Sequence, residues 1–172
     1  MGNKAFIVTG RHVAVSDMMK QLTALLNENG IDCVIFDGIT GEPTDTMIEN
    51  GVEMLKSSGC DFIIGIGGGS PLDSAKAIAA MAVNEGSIAD YNGKEITGEI
   101  LPLAAIPTTA GTGSEATKFT VITDSEKGIK MLLKGDVLVP KLAIVDSSFT
   151  VGAPKSVTSA TGLDALTHAV EA

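Results

Sequence analysis

The chain has 172 residues, which is enough for one domain with a buried core and too few for two domains of ordinary size. Apolar residues make up 44% of the sequence and charged residues 19%, a composition that excludes an intrinsically disordered chain. The net charge of -9 would repel a nucleic acid backbone and an anionic bilayer, so neither is an expected partner. No apolar run approaches the roughly 20 residues that cross a bilayer, and no signal-peptide pattern begins the sequence, so we expect a cytoplasmic protein.

Five apolar runs have the length and composition of buried strands, and most of them are separated by segments of helix length. This alternation is typical of a parallel sheet with crossover helices. The sequence therefore predicts an α/β fold with a doubly wound, mostly parallel sheet. The predicted strands are residues 5–9, 31–36, 61–66, 103–106 and 142–145.

Two helices are predicted before the third strand. Apolar residues at helical spacing place the first between Ser16, which can cap its start, and Gly30, which can end it. The second is predicted from residue 44 or 45 to residue 58, and Gly59 follows it directly.

The second half of the chain departs from simple alternation in two places. Two β-prone runs, residues 119–123 and 129–133, flank a segment with turn chemistry, so we expect an inserted β-hairpin. The last predicted helix, residues 158–172, has no strand after it. The character of the chain is therefore expected to change near Phe149.

A glycine-rich turn joins the third strand to a third predicted helix, residues 71–82. Its glycines, which include Gly68 and Gly69, would let the backbone approach a ligand, and the free amides of a helix N-terminus favour a pyrophosphate. Ser70 is predicted to cap this helix, and Asp73 stands three residues later, as in a capping box. The alternative interpretation is a tight structural turn without a ligand.

The end of the first strand lacks the usual dinucleotide fingerprint. Gly10 is followed there by Arg11 and His12 rather than by further glycines, which argues against an ordinary Rossmann dehydrogenase. We interpret His12 as a solvated loop residue rather than a catalyst.

Five hydroxyl side chains share the loop that follows the fourth strand, residues 108–117. Hydroxyls and free backbone amides can bind sugar and phosphate oxygens, and the carboxyl end of a parallel strand is where open α/β sheets bind ligands. A loop of this composition is also compatible with an ordinary turn, so both interpretations stay open.

Asp164 and His168 are four residues apart in the last predicted helix, so both side chains lie on one helix face about a turn apart. Such a pair can share one metal ion, but two ligands do not complete a site. The alternative is a hydrogen bond or an ion pair within the helix.

Three segments together match the motifs of one family. They are GIGGGSPLDSAKA at residues 65–77, IPTTAGTGSEAT at 106–117 and TGLDALTHAVEA at 161–172. On these motifs the chain closely resembles the iron-dependent, or group III, alcohol dehydrogenases over nearly its whole length. The resemblance implies a nucleotide-binding domain at residues 1–150, similar to the N-terminal domain of dehydroquinate synthase, and a truncated start of the metal-binding helical domain at 151–172. The rest of that C-terminal helical domain is expected to be absent.

The resemblance also implies roles for individual residues. Glycine and serine of the turn would hold the pyrophosphate, and Asp73 would lie toward the nicotinamide. The threonines of the loop would contact the cofactor. Lys130 would reach the cofactor's ribose; the alternative is a solvated strand lysine without a ligand. Asp164 and His168 match the first two of four metal ligands and would act in catalysis through the metal, Fe2+ or Zn2+. The implied cofactor contacts are Gly68, Gly69, Ser70, Asp73, Thr108, Thr109, Thr112 and Lys130.

Departures from the family pattern bear on the cofactor. Gly10 stands where NAD-preferring members often have an aspartate, and Arg11 follows it, so we expect contacts from both residues and a preference for NADP over NAD. Asp37, at the end of the second strand, is an acidic residue that would instead favour NAD. Glu42 replaces an asparagine that many members place near the cofactor.

The implied activity is metal-assisted hydride transfer between a primary or short-chain alcohol, or the matching aldehyde, and NAD(P). This chain alone is expected to be inactive, and a homo-oligomer such as a dimer is the expected assembly. Two alternatives stay open: a stand-alone dinucleotide-binding module without catalysis, and a relative of glycerol dehydrogenase.

Overall fold

The computed structural model describes residues 1–171 and contains seven strands within that range. The strands are β1 (Lys4–Val8), β2 (Asp32–Phe36), β3 (Phe62–Gly67), β4 (Leu103–Pro107), β5 (Phe119–Asp124), β6 (Ile129–Lys134) and β7 (Leu142–Ala143). Five of them form a parallel sheet with the order β2-β1-β3-β4-β7. The other two, β5 and β6, form an antiparallel hairpin. The predicted parallel sheet and the inserted hairpin are both confirmed.

Five α-helices and three short 3-10 helices connect these strands within residues 1–171. The α-helices are α1 (Arg11–Ala14), α2 (Asp17–Glu28), α3 (Asp45–Ser58), α4 (Gly69–Met81) and α5 (Lys155–Glu171). The 3-10 helices are Ile88–Tyr91, Asp136–Leu138 and Ser147–Phe149.

Helices cover both faces of the parallel sheet, because its central strands are apolar on both sides. In β1, Phe6 and Val8 pack in one core with α3, α4 and the hairpin, whereas Ala5 and Ile7 pack in a second core with α2. All four side chains are fully buried. The sheet is therefore doubly wound, as the sequence predicts.

Local hydrogen bonds define the ends of the first two crossover helices. Ser16 Oγ accepts from the backbone N–H of Met19, and Thr44 Oγ1 accepts from that of Met47. Gly59 ends α3 in the left-handed conformation with φ 66°. The predicted Ser16 cap of α2 and the predicted end of α3 at Gly59 are confirmed.

The third crossover helix begins differently from the prediction. The N-cap of α4 is Gly68, and Ser70 lies inside the helix. The predicted Ser70 cap and the capping box with Asp73 are therefore wrong. The Asp73 carboxylate instead accepts hydrogen bonds from Ser114 Oγ and the Val121 N–H, so two distant partners take the place of the local cap.

Two shorter elements also differ from the sequence analysis. His12 lies in the four-residue helix α1 rather than in a loop, although its side chain is exposed as expected. The fifth strand of the sheet is limited to Leu142–Ala143, shorter than the predicted 142–145.

The helix α5 lies on the surface of the molecule and contains no buried residue. It begins at Lys155, three residues earlier than predicted, while Ala172, its predicted last residue, lies outside the described residues. The side chains of Leu163, Leu166 and Val170 are 62%, 59% and 77% exposed. Within residues 1–171, the helices all lack the combination of length and apolar character that crossing a membrane requires.

The buried hydroxyl of Thr9 joins two neighbouring strands, since its Oγ1 donates to the Ile66 carbonyl at 2.8 Å. We expect Thr9→Val, which keeps the shape and removes this bond, to lower the free energy of unfolding by about 1 kcal/mol in urea denaturation. Thr40→Val, at an exposed position, should change it by less than about 0.5 kcal/mol. Equal effects of the two substitutions would contradict the role of this bond.

Candidate functional site

The candidate site lies at the carboxyl edge of the parallel sheet, near the ends of β1 and β3. The chain crosses from β1 to β2 on one side of β1 and then passes to β3 on the other, so the strand order reverses at this point. Such a reversal opens the crevice in which doubly wound proteins bind ligands. The Thr108 N–H donates to the Gly67 carbonyl at 2.8 Å, which holds the threonine loop beside the glycine turn.

The three glycines of the turn are required for different reasons. A Cβ on Gly67 would lie 2.7 Å from the ring of the proline in α4, and a Cβ on Gly69 would lie 2.9 Å from Thr112 Cγ2. Packing alone therefore explains those two glycines. At Gly68 a Cβ would meet Thr109 Oγ1 at 3.3 Å, and the backbone is extended, with φ -75° and ψ -164°. Side chains are compatible with that conformation, so packing explains Gly68 least.

A cleft of about 530 Å³ opens above the N-terminus of α4. This volume falls within the range of small-molecule sites. Its lining includes seven residues that the sequence analysis assigned to cofactor or metal, and these are Gly69, Ser70, Asp73, Thr112, Lys130, Asp164 and His168. The structure thus brings residues from α4, the threonine loop, the hairpin and α5 to one cavity.

Five other predicted site residues lie outside the lining of this cleft, and these are Gly10, Arg11, Gly68, Thr108 and Thr109. Gly10 forms an isolated bridge with Gly38, which puts the exposed carboxylate residue Asp37 next to the end of β1. Arg11 is the exposed first residue of α1. An acidic and a basic side chain therefore both lie near the position that distinguishes NAD from NADP in doubly wound enzymes.

Asp73, which follows the first turn of α4, connects this helix to the segment 114–121 on the opposite side of the cleft. Its carboxylate accepts from Ser114 Oγ and from the Val121 N–H, and its backbone carbonyl accepts from Thr120 Oγ1 at 2.8 Å. Burial raises the pKa of Asp73, while these two carboxylate hydrogen bonds and the nearby Lys76 ammonium act in the opposite direction. The carboxylate is therefore part of the wall as well as of the cavity surface.

Lys76 is a buried residue that the sequence analysis did not single out. It lies three residues after Asp73 and is fully buried, and its Nζ donates to the carbonyls of Thr117 and Phe119 and to Thr117 Oγ1, at 2.8, 2.9 and 3.0 Å. Burial lowers the pKa of Lys76 to about 8, against the raising effect of Asp73 and Glu115. A lone lysine within an alanine-rich, buried helix is the sequence signal that could have identified it.

Lys130 forms an ion pair with Glu42 across the mouth of the cleft. The sequence analysis placed both residues near a cofactor without joining them. Their side chains are 62% and 66% exposed, so the pair is weak and can open at little cost. The same lysine can then meet an anionic ligand in the cleft.

Asp164 and His168 face the cleft from α5, with 3.6 Å between Asp164 Oδ1 and His168 Nε2. The distance fits the ion pair that was one of the two alternatives, and carboxylate and imidazole are also ligands suited to iron and zinc. Within residues 1–171 the structure forms no group of three His, Cys, Asp or Glu side chains around a common metal position. A Cβ on Gly111 would lie 2.6 Å from the Thr161 carbonyl, so a glycine in the threonine loop lets this loop approach α5 closely.

Comparison with known proteins places this cleft in context. The family model of iron-containing alcohol dehydrogenase matches residues 1–147. The chain belongs to the iron-containing alcohol dehydrogenase family. It is 42% identical over 170 residues to NAD-dependent methanol dehydrogenase of Bacillus methanolicus, a match that covers 98% of the chain and 45% of that protein. The chain thus spans less than half the length of the curated relatives it matches.

Solved structures of two oxidoreductases share the fold of this chain. A crystal structure of 1,3-propanediol oxidoreductase superimposes with a TM-score of 0.94 at 38% identity, over 98% of the chain and 44% of that protein. Sulfoacetaldehyde reductase from Bifidobacterium kashiwanohense, in complex with NAD+, gives a TM-score of 0.92 at 34% identity, over 98% of the chain and 45% of that protein. The resemblance inferred from the three motifs is confirmed.

The buried ammonium of Lys76 predicts a specific pH dependence of stability. Between about pH 8 and the ordinary lysine pKa of 10.5, the unfolded chain holds a proton that the folded chain has released. The free energy of unfolding of the wild-type protein, relative to Lys76→Met, should therefore rise over this interval and stay constant below it. Urea denaturation of both proteins at a series of pH values measures this difference in the free energy of unfolding.

Lys118→Met is the matched control for this experiment. Lys118 pairs with Asp136 on the surface, and this ion pair raises its pKa. The free energy of unfolding of the wild-type protein, relative to that of Lys118→Met, should therefore not rise between pH 8 and 10. If the difference in free energy of unfolding between the wild-type protein and Lys76→Met does not change with pH, Lys76 keeps an ordinary pKa.

Proposed function

We propose that the cleft binds the dinucleotide NAD or NADP for alcohol and aldehyde oxidoreduction by hydride transfer. Residues 1–150 would form the cofactor-binding domain, and residues 151–172 would begin the metal-binding helical domain. One observation carries the proposal: a helix N-terminus, a hydroxyl-bearing loop, Lys130 and the Asp164–His168 pair all face one cavity at the strand-order reversal. The NAD-dependent name of the methanol dehydrogenase and the NAD+ in the sulfoacetaldehyde reductase support it.

The N-terminus of α4 is suited to the pyrophosphate. Its first turn contains no acidic residue, so the positive end of the helix is not neutralised locally. Gly68, Gly69 and Ser70 would offer backbone amides and one hydroxyl at close range. Together they form an anion site that needs no further lysine or arginine.

The threonine loop and the hairpin would orient the rest of the cofactor. Thr108, Thr109 and Thr112 would offer hydroxyls to ribose or phosphate oxygens, and Lys130 would exchange Glu42 for the ligand. By its resemblance to the family, Asp73, which lines the cleft, would lie toward the nicotinamide.

Asp164 and His168 would hold the metal through a carboxylate oxygen and an imidazole nitrogen, and a bound Fe2+ or Zn2+ would polarise the alcohol oxygen as a Lewis acid. The relatives named for methanol and 1,3-propanediol favour a primary or short-chain alcohol as the substrate. NADP preference, a homodimer and a cytoplasmic location stay predictions.

Gly68→Val tests the pyrophosphate site. The extended backbone at Gly68 accepts a valine, so the variant should fold, while the added side chain beside Thr109 would block the approach of a ligand to the amides at the start of α4. We expect calorimetry to detect no dinucleotide binding. Gly152→Val, where a Cβ meets open space, is the control and should bind as the wild-type protein does. Unchanged affinity in a folded Gly68→Val variant would remove the turn from the site.

Arg11 and Asp37 are opposed in the choice of cofactor. If Arg11 accepts the 2′-phosphate, Arg11→Ala should weaken NADPH binding roughly tenfold and leave NADH binding unchanged. Asp37→Asn should act in the other direction and weaken NADH binding. Tighter binding of NADH by the wild-type chain, measured in the same titrations, would overturn the preference for NADP.

Turnover distinguishes the oxidoreductase from a stand-alone dinucleotide-binding module. The 172-residue chain assayed with butanol or 1,3-propanediol and added Fe2+ is expected to bind metal weakly and give no measurable turnover, because Asp164 and His168 supply two ligands. Adding a helical domain with the remaining ligands should restore both. Stoichiometric, tightly held metal and alcohol-dependent NADPH formation by this chain alone would show that its metal site is complete.

A further inference from the structure

Lys76 is fully buried, yet it does not line the cleft. Its Nζ lies behind the cleft wall and makes all three of its hydrogen bonds to Thr117 and Phe119. These two residues belong to the end of the threonine loop and the start of β5, and both of them line the cleft from the other side. The ammonium therefore contacts the back of the surface that a ligand would meet.

The helix α4 supplies the floor of the cleft and also holds one wall of it, the segment 114–121. Gly69 and Ser70, in the first turn of α4, form part of the cavity surface. One turn further on, Asp73 and Lys76 bond to the segment 114–121 at six points: Ser114 Oγ, Thr117 O, Thr117 Oγ1, Phe119 O, Thr120 Oγ1 and the Val121 N–H. The distance between floor and wall is therefore set by α4.

Packing alone gives no reason for a charge at this position. The neighbours of Lys76 on α4 include Ala75, Ala77 and Ile78, all fully buried. Burying an ammonium carries a desolvation penalty, and apolar residues of similar volume often replace buried charges without loss of stability. The advantage of lysine here is directional, because one side chain reaches three acceptors on a neighbouring segment.

Two carboxylates face this ammonium, Asp73 from α4 and Glu115 from the threonine loop. Both favour its charged form, which has three N–H donors for its three acceptors. With a pKa of about 8, Lys76 is mostly protonated at neutral pH.

We propose that Lys76 is a positioning residue for the dinucleotide site. It holds the segment 114–121, whose Ser114 and Thr117 line the cleft, at the distance from the N-terminus of α4 at which this segment and the amides of the glycine turn reach one ligand. This inference rests on the proposed function, since it assigns a role in that same site. It adds a residue that does not touch the ligand and acts only through the wall.

Lys76→Met provides the main test, because methionine keeps most of the volume and removes the charge and the donors. The variant should stay folded at pH 7, because relief of the desolvation penalty of the ammonium offsets part of the cost of leaving its three acceptors unpaired. Its affinity for NADPH and NADH, measured by calorimetry, should fall at least about tenfold, the scale of a lost charged hydrogen bond. Backbone amides of residues 114–121 should exchange faster in hydrogen-exchange measurements.

Two further variants separate positioning from general stability. Lys76→Arg keeps a positive charge and N–H donors on a longer side chain, so it should retain more affinity than Lys76→Met. Lys20→Met, on the exposed surface of α2, should change neither affinity nor exchange at 114–121. If Lys76→Met does not fold, Thr117→Val decides instead, since it removes one acceptor at constant shape and should speed exchange of the segment.

Three results would overturn the inference. The first is unchanged dinucleotide affinity in a folded Lys76→Met variant. The second is unchanged hydrogen exchange of residues 114–121 in Lys76→Met or, if that variant does not fold, in Thr117→Val. The third is a loss of affinity that is fully accounted for by a loss of stability. A wild-type chain that binds no dinucleotide would instead refute the proposed function. The exchange measurements would then still show whether Lys76 holds the wall.

Discussion

The alignment of three strand ends, those of β1, β3 and β4, is the constraint on which the candidate site depends. Thr9 Oγ1 joins β1 to the Ile66 carbonyl of β3, and the Thr108 N–H joins the loop after β4 to the Gly67 carbonyl. Parallel pairing puts these ends at one edge, and the reversal of strand order leaves a crevice there. The backbone ladder between β3 and β4, together with the Thr108–Gly67 bond, brings the glycine turn and the threonine loop side by side.

Charge in the cleft is distributed differently from charge in the whole chain. The protein carries a net charge of -9, but the N-terminus of α4 has no acidic residue in its first turn, and Lys130 lies at the mouth of the cavity. The lining also includes the carboxylates of Glu42, Asp73 and Asp164, so attraction for an anion is confined to the helix N-terminus and Lys130. Glu42 moderates this attraction, because the ligand has to replace its ion pair with Lys130.

The helix α5 joins the cofactor cleft to the metal chemistry of the family. Its polar pair, Asp164 and His168, faces the cleft, whereas Leu163 and Val170 are exposed to solvent. The Thr161 carbonyl lies so close to Gly111 that only a glycine fits in the threonine loop at this point. The threonine loop and the helix that carries Asp164 and His168 are thus in contact, so a ligand in the cleft would lie beside both.

The sequence by itself determined the features that depend on neighbouring residues. Apolar runs predicted the strands, Ser16 and Gly59 marked helix ends, and the motifs identified the family, because periodicity and capping act within a few residues. Only the tertiary structure decided the partners of Asp73, which lie 41 and 48 residues away, and the pairing of Lys130 with Glu42, 88 residues away. It also revealed the buried Lys76. Such contacts depend on how the strands and helices pack, and the local pattern around Asp73, which predicted a capping box, carries no information about a stronger partner elsewhere in the chain.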